Sequence, residues 1–293
     1  MIKNCFNYVG SKDRILSQID ANLNKDKSIF IDAFCGSGVV GVNEVSNYYH
    51  VFLNDACWQL IEVLRYFTHN EIDDIIMEIE KVIQQYELSK TNKQGYNNLR
   101  DFYNSNTSLP ESFNPVVFYC LLAHSFNYNI HITKTGKFSV PFGQNRSYFS
   151  DSLKNKLINF QRALHRNAEK FSIFNYSYTD FFKFAKSRDL IKDSMIYIDP
   201  PYLSSDSSYG RIAYLGKWDA QKEKALYDTL DYINKLGGSF LLSNVVENNG
   251  KENEVLKKWA SRYNIIEVSS DYTNCNYQRK NAGKTKEVLI RNY

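Results

Sequence analysis

Short apolar runs alternate with longer amphipathic stretches along most of this chain, the pattern of strands interleaved with helices. The run Ser28-Ile29-Phe30-Ile31-Asp32-Ala33-Phe34 predicts a buried strand that breaks at Cys35-Gly36-Ser37-Gly38, after which Val39-Val40-Gly41-Val42-Asn43 opens a helix. Val51-Phe52-Leu53-Asn54-Asp55 predicts a second strand that ends in an acid. Met195-Ile196-Tyr197-Ile198 predicts a third, stopped by two consecutive prolines. Farther on, a helical stretch opened by Trp218 and Asp219 runs through Leu226 and Leu230 to Gly237-Gly238, ahead of a strand holding Phe240 and Leu242. These are helix–strand units of an α/β fold, and 293 residues suit one large domain with an insertion or two modest domains.

Between roughly residues 57 and 171 the texture changes. Leu60 to Leu64 and Ile72 to Ile79 show helical apolar spacing, the Asn/Lys-rich stretch 90 to 98 reads as a loop, and Pro115 to Leu122 predicts another helix. Asn127 to Gly143 alternates and turns at Thr135-Gly136, the pattern of a polar hairpin.

Composition narrows the class only a little. With 23% charged residues and no apolar stretch of membrane-spanning length or amino-terminal signal core, a cytoplasmic protein is expected. Five scattered cysteines with no CxxC pair indicate neither a disulfide framework nor a metal site. A net charge of +4 permits a nucleic-acid partner but is too weak to imply one.

The candidate chemistry lies at the strand ends. Gly36 and Gly38 let backbone approach a ligand closely, and Asp55 follows Asp32 by 23 positions, a separation at which an acid commonly takes the ribose hydroxyls of a nucleoside cofactor. Gly36-Ser37-Gly38-Val39-Val40-Gly41 also fits the generic GxGxxG pattern, so NAD-like and S-adenosylmethionine-like readings compete. The second ligand is a zwitterion that needs an acid and a base. Asp32 before the glycine turn and Lys12 upstream supply both, although Asp32 could instead bond its own turn and Lys12 could be a surface lysine. Asp199-Pro200-Pro201-Tyr202 follows the third strand, and because proline has no N–H the loop presents acceptors and few donors. An acceptor-only pocket beside an aromatic ring suits a planar group carrying an exocyclic amine, such as adenine or cytosine.

In chain order, Tyr8-Val9-Gly10-Ser11-Lys12, Asp32 to Gly38, Asp55, Asp199-Pro200-Pro201-Tyr202, Phe240-Leu241-Leu242-Ser243-Asn244 and Glu287 to Tyr293 resemble the motifs of Dam-type DNA adenine-N6 methyltransferases of the D12 class, alpha group. The resemblance implies a Rossmann-like α/β fold with a mostly parallel, doubly wound sheet and a reversed terminal hairpin. It implies a catalytic domain in two parts, residues 1–56 and 172–293, around a mainly helical target-recognition domain, 57–171, with a β-hairpin. S-adenosyl-L-methionine is the implied cofactor, with Tyr8, Lys12, Asp32, Phe34, Gly36, Gly38, Asp55 and Asp199 in its pocket. Asp180 resembles the acid that bonds the cofactor's adenine amine, though a helix cap before Phe181 explains it equally. Asp199, Pro200 and Tyr202 are the implied catalytic residues, gripping an adenine flipped out of the duplex. The Dam type carries Trp at the position of Tyr8; either ring can stack.

Double-stranded DNA is the implied partner. The stretch ending Gly136-Lys137-Phe138-Ser139-Val140-Pro141-Phe142-Gly143 resembles the family's recognition hairpin, which makes Asn127, Asn129, His131, Thr133, Lys134 and Lys137 candidate readers, each of which could also be an ordinary solvated side chain. His131-Ile132-Thr133 stands where the Dam type has Arg-Tyr-Asn, so a short palindrome other than GATC is expected. Arg279 and Lys280, with Lys284 and Lys286, are candidate phosphate contacts, and Arg162, Arg166 and Lys170 form a second basic set at helical spacing. A type II restriction-modification setting, with a cognate restriction endonuclease as a further partner, is preferred by resemblance. Cytosine-N4 methylation and a catalytically inactive DNA-binding protein are the alternative readings.

Overall fold

Because side chains alternate along a strand, every short apolar run in this chain feeds two cores at once. The computed structural model describes residues 1–7, 10–107, 109–203, 212–268 and 285–293. Its strands are β1 (Ile29–Asp32), β2 (His50–Asn54), β3 (Phe171–Phe174), β4 (Ser194–Ile198), β5 (Ser239–Asn248), β6 (Lys251–Glu252), β7 (Asn264–Glu267) and β8 (Thr285–Arg291). Phe30, Val51, Leu53, Tyr197, Leu241 and Leu289 belong to one buried cluster, while their neighbours Ile31, Phe52, Ile196, Ile198, Phe240, Leu242, Val288 and Ile290 belong to the other.

The sheet runs β3-β2-β1-β4-β5-β8-β7, with β6 paired to β5. The first five strands of that order are mutually parallel, and β8 is antiparallel to both β5 and β7. Chain order leaves β1 toward β2 on one side and toward β4 on the other. The sheet therefore has its topological switch between β1 and β4, where open α/β sheets bind ligands at the strands' carboxyl ends. The register sets Asp32 opposite Leu53 on one flank and Tyr197 on the other, which brings the residues just after β2 and β4 to the same edge.

The helices are α1 (Leu16–Ala21), α2 (Val39–Glu44), α3 (Trp58–His69), α4 (Ile72–Gln85), α5 (Lys93–Phe102), α6 (Pro115–His124), α7 (Asp151–Arg166), α8 (Tyr178–Ser187), α9 (Ala220–Lys235) and α10 (Glu254–Ala260). Phe181, Leu226, Leu230 and Trp259, from α8, α9 and α10, fill the second core. The first core is filled by α2 and by helices between β2 and β3: Leu60, Ile61 and Leu64 of α3, Phe118 and Leu121 of α6, and Leu157 and Phe160 of α7 join Phe30 and Val51 in one continuous cluster. Among the described residues no helix is long and apolar enough to cross a membrane.

A stretch that reads as loop proves to be helical. Residues 90 to 98 read as a loop, yet most of α5 lies there. Asn92 caps the helix by accepting from the Gly95 N–H at 3.0 Å, and Tyr96, Leu99 and Tyr103 recur at helical spacing and are fully buried. The polar residues between them are the solvated face.

The hairpin of residues 130–142 pairs at Ile132–Phe138 and turns at Gly136, whose φ of 80° lies in the left-handed region that glycine tolerates. Ile132 also pairs in parallel with Ile212, and the Ala213 N–H donates to the Ile132 carbonyl at 2.8 Å.

Close approach of α2 to β2 depends on Gly41, where an added Cβ would stand 2.3 Å from Leu53 Cδ2 and 3.3 Å from Val51 Cγ1. Gly41→Val is expected to lower unfolding free energy by about 1–3 kcal/mol through overpacking, measured by urea denaturation at unchanged m-value. Unchanged stability would mean that α2 can retreat from the sheet freely.

Candidate functional site

Strand ends and glycine turns bring the sequence's acids together. Asp32 closes β1 with 1% exposure, and its Oδ2 accepts from the Gly41 N–H at 3.3 Å. The chain then turns through Gly36 and Gly38 at φ of 50° and 74°, the left-handed region where a Cβ is costly. Asp55, just beyond β2, accepts from the Gly36 N–H at 2.9 Å through Oδ2 and from the Cys57 N–H at 2.8 Å through Oδ1. It thus holds the glycine turn and the start of α3 together. Phe34 leaves the turn to stack on Tyr178 at 5.5 Å between ring centroids and to meet the edge of Trp218 at 6.0 Å, forming an aromatic wall beside the strand ends.

The second cluster centres on Asp199. The two prolines end β4, Pro200 buried and Pro201 exposed, and Asp199 and Tyr202 face back toward Lys12. Lys12 Nζ lies 2.8 Å from Asp199 Oδ2 and donates to the Tyr202 hydroxyl at 2.8 Å. The Tyr202 hydroxyl donates to Asp199 Oδ1 at 2.8 Å. Glu287, on β8, adds a further carboxylate: its Oε1 is 3.2 Å from the Tyr202 hydroxyl, 3.6 Å from Lys12 Nζ and 3.3 Å from the Ser243 hydroxyl.

Among the described residues, charge in this region is unbalanced toward acids. Burial raises the Asp32 carboxyl well above its usual range, opposed by the Gly41 N–H and reinforced by Asp199 and Asp55. Burial likewise raises Asp55 against its two backbone donors, and raises Asp199 against the nearby Lys12. Burial would lower the Lys12 ammonium, but Asp199, Tyr197 and Glu287 outweigh it and push its pKa up, so the lysine stays charged. Such a site suits a ligand that brings positive charge and is hostile to a pyrophosphate.

The other sequence candidates are dispersed. Tyr8, Arg279 and Lys280 lie outside the described residues, as does Lys284. Asp180 is in the exposed first turn of α8, not in the acid cluster: Ser177 caps that helix by accepting from the Asp180 N–H at 3.2 Å and donates to its Oδ2 at 2.7 Å, and Lys183 pairs with its Oδ1 at 2.9 Å. These bonds lower its pKa, Lys183 first and Ser177 second. On the hairpin side, Asn127 is exposed at a left-handed φ of 53° and Asn129 is half-buried. His131 Nδ1 lies 2.7 Å from the Ser139 hydroxyl, Thr133 Oγ1 accepts from the Lys137 N–H at 3.1 Å, and the Lys134 and Lys137 side chains are exposed. Arg162 and Arg166 are exposed on α7, but Lys170 is on a separate turn with its ammonium 3.3 Å from the Val45 carbonyl, and Lys286 is paired with Glu247 at 2.6 Å.

Sequence reading missed three contributors. Glu287 was legible only as the head of the closing apolar strand; an acid against Val288-Leu289-Ile290 was the available signal. Gln59, fully buried in the first turn of α3, accepts from the Tyr214 hydroxyl at 2.7 Å, which ties Tyr214, downstream of Asp199, to the helix that follows Asp55. Neither Gln59 nor Tyr214 carries a motif.

Residues 8–274 match the family described as D12 class N6 adenine-specific DNA methyltransferase. The chain is 35% identical to the type II methyltransferase M.FokI of Planomicrobium okeanokoites and 34% identical to the modification methylase StsI of Streptococcus sanguinis, in each case over 100% of this chain and 43% of the relative. It is 25% identical to the type II methyltransferase M.MjaIII of Methanocaldococcus jannaschii, over 100% of this chain and 99% of that protein. The chain thus spans less than half the length of the first two relatives.

Lys12 is the charge that the Asp199 cluster shares, and removing it leaves buried carboxylates unpaired. Lys12→Met is expected to cost roughly 3–5 kcal/mol of stability at neutral pH. Because burial already raises the folded Asp199 carboxyl and loss of Lys12 raises it further, the folded variant holds more protons than the unfolded chain above the ordinary carboxylate pKa. Its deficit should therefore shrink as pH falls toward about 4. Thermal melts from neutral to acid pH test this, and a deficit independent of pH would contradict it.

Proposed function

This chain belongs to the D12 class of N6 adenine-specific DNA methyltransferases, and from that premise we propose that it transfers the methyl group of S-adenosyl-L-methionine to the exocyclic amine of an adenine flipped out of a short duplex site. The observation that carries the reading is the placement of Asp199-Pro200-Pro201-Tyr202 at the carboxyl end of β4, against a pocket richer in acids than in bases.

Residues of that pocket fit the cofactor. It carries an ammonium and a sulfonium, and the buried carboxylates of Asp32 and Asp199 offer them negative charge. Asp55, fixed by two backbone donors, has acceptor capacity left for ribose hydroxyls. Phe34, Tyr178 and Trp218 supply flat surfaces for an adenine ring. Asp180, one turn into α8 beside Tyr178, is the acceptor for that ring's amine, once released from Lys183. When bound, the cofactor supplies an electrophilic methyl group.

Protein groups do the rest by position. An adenine amine is a weak nucleophile because its lone pair is delocalised into the ring. Accepting its protons at Asp199 and at the Pro200 carbonyl favours a pyramidal nitrogen and localises the pair, while Tyr202 replaces the stacking lost on extrusion. A cytosine amine would satisfy the same acceptors; family membership favours adenine.

In this reading residues 1–56 and 172–293 form the catalytic part and 57–171 the target-recognition part, with Lys134 and Lys137 on phosphates and Asn127, Asn129, His131 and Thr133 near base edges. Relatives named as modification methylases support a restriction-modification setting with a cognate endonuclease.

Labelled methyl transfer to diverse unmethylated duplexes tests the function, with N6-methyladenine as the expected product. Asp199→Ala should abolish transfer. Tyr202→Ala should lose it while Tyr202→Phe and Tyr202→Trp keep a part, and equal losses in all three would refute stacking. Lys134→Ala and Lys137→Ala should weaken DNA binding uniformly across sequences, each reducing the salt slope by about 1. A slope unchanged in both variants would remove the hairpin from the phosphate contacts.

A further inference from the structure

Both oxygens of Asp199 are already engaged, Oδ1 by the Tyr202 hydroxyl and Oδ2 by the Lys12 ammonium, each at 2.8 Å. On the reading above, the same carboxylate must accept from an incoming amine, and Tyr202 must present its ring to the base. An oxygen bonded to an ammonium is a poor acceptor for a further neutral donor, because its electron density is held by the cation. The cluster therefore needs somewhere else for Lys12 and Tyr202 to bond when a base arrives.

Glu287 is built for that. It comes from β8, the reversed strand between β5 and β7, where it pairs in register with Val245. Its side chain is 1% exposed, and its Oε1 stands 3.2 Å from the Tyr202 hydroxyl and 3.6 Å from Lys12 Nζ. The two groups that occupy Asp199 are thus already within reach of a second carboxylate. For Lys12, the difference between 3.6 and 2.8 Å is all that an exchange must close. The Ser243 hydroxyl, 3.3 Å from the same Oε1, holds Glu287 in place from β5. A neutral Gln could bond Ser243 and Tyr202 as Glu287 does, but only an acid can share the Lys12 cation with Asp199.

We propose that Glu287 is a positioning residue that takes over Lys12 and Tyr202 as the target amine engages Asp199, freeing that carboxylate to accept from the amine. The exchange moves positive charge away from Asp199 as positive charge grows on the attacking nitrogen, which favours the transition state more than the resting enzyme.

The test uses the whole chain, S-adenosylmethionine and duplexes carrying its methylation site, found by sequencing methylated DNA. Glu287→Gln keeps shape and removes the charge. It is expected to lower kcat on the order of 10- to 100-fold, the effect of losing a hydrogen bond to a charged group, with the Kd for cofactor unchanged. With 2-aminopurine at the target position, the fluorescence rise that reports base extrusion should also be smaller than in wild type. Glu287→Asp, one methylene too short to reach both partners, should show an intermediate kcat, and it carries the test if Glu287→Gln does not fold. Wild-type kcat in either folded variant, or a loss confined to cofactor binding, would overturn the proposal. Failure of the underlying reading looks different, since wild-type protein would then produce no N6-methyladenine at all.

Discussion

A parallel sheet collects at one edge whatever its strands end in, and here they end in acids. β1 closes on Asp32, which is buried, β2 is followed by Asp55 and β4 by Asp199, both half-buried, and desolvation shifts all three toward the neutral form. Carboxylates placed so closely need a counter-charge. Lys12 supplies one from near the amino terminus, and β8 brings Glu287 to the same ammonium from the far end of the sequence. Among the described residues the cluster therefore rests on one cation, Lys12, held between distant parts of the chain.

Much of this was legible before any coordinates. The strands before Gly36 and before Asp199 were plain because short apolar runs ended abruptly in glycine or proline, and the family followed from several motifs in order rather than from one. Less legible was anything decided by tertiary contact. α5 was hidden because its buried positions, Tyr96 and Leu99 with Tyr103 just beyond, are preceded by Asn92, Lys93 and Gln94 and separated by Asn97 and Asn98, which read as loop. Lys12 was expected beside a cofactor carboxylate, and the structure sets it on Asp199 and Tyr202. Asp180 had two equal readings, and the structure puts the helix cap three residues earlier, at Ser177, whose hydroxyl bonds Asp180. Glu287 stood in the closing motif but drew no role there, because an acid at the start of an apolar run becomes informative only when what faces it is known.

Helices lying between β2 and β3 do not build a separate core. α3, α6 and α7 pack on the same side of the sheet as Phe30 and Val51, in one cluster with them. The sequence changes texture at residue 57, yet the packing is continuous. Elements that carry the hairpin are thus fixed to the sheet by the hydrophobic contacts that stabilise the sheet itself.

The backbone pairing of Ile132 with Ile212 and the bond from Tyr214 to Gln59 give the hairpin a reach beyond its own arms. The arm that carries Ile132 is stapled to residues 212 and 213, downstream of Asp199, and Tyr214 beside them is bonded in turn to the helix following Asp55. The hairpin is thus braced through residues 212 to 214 against α3 as well as by its own two arms.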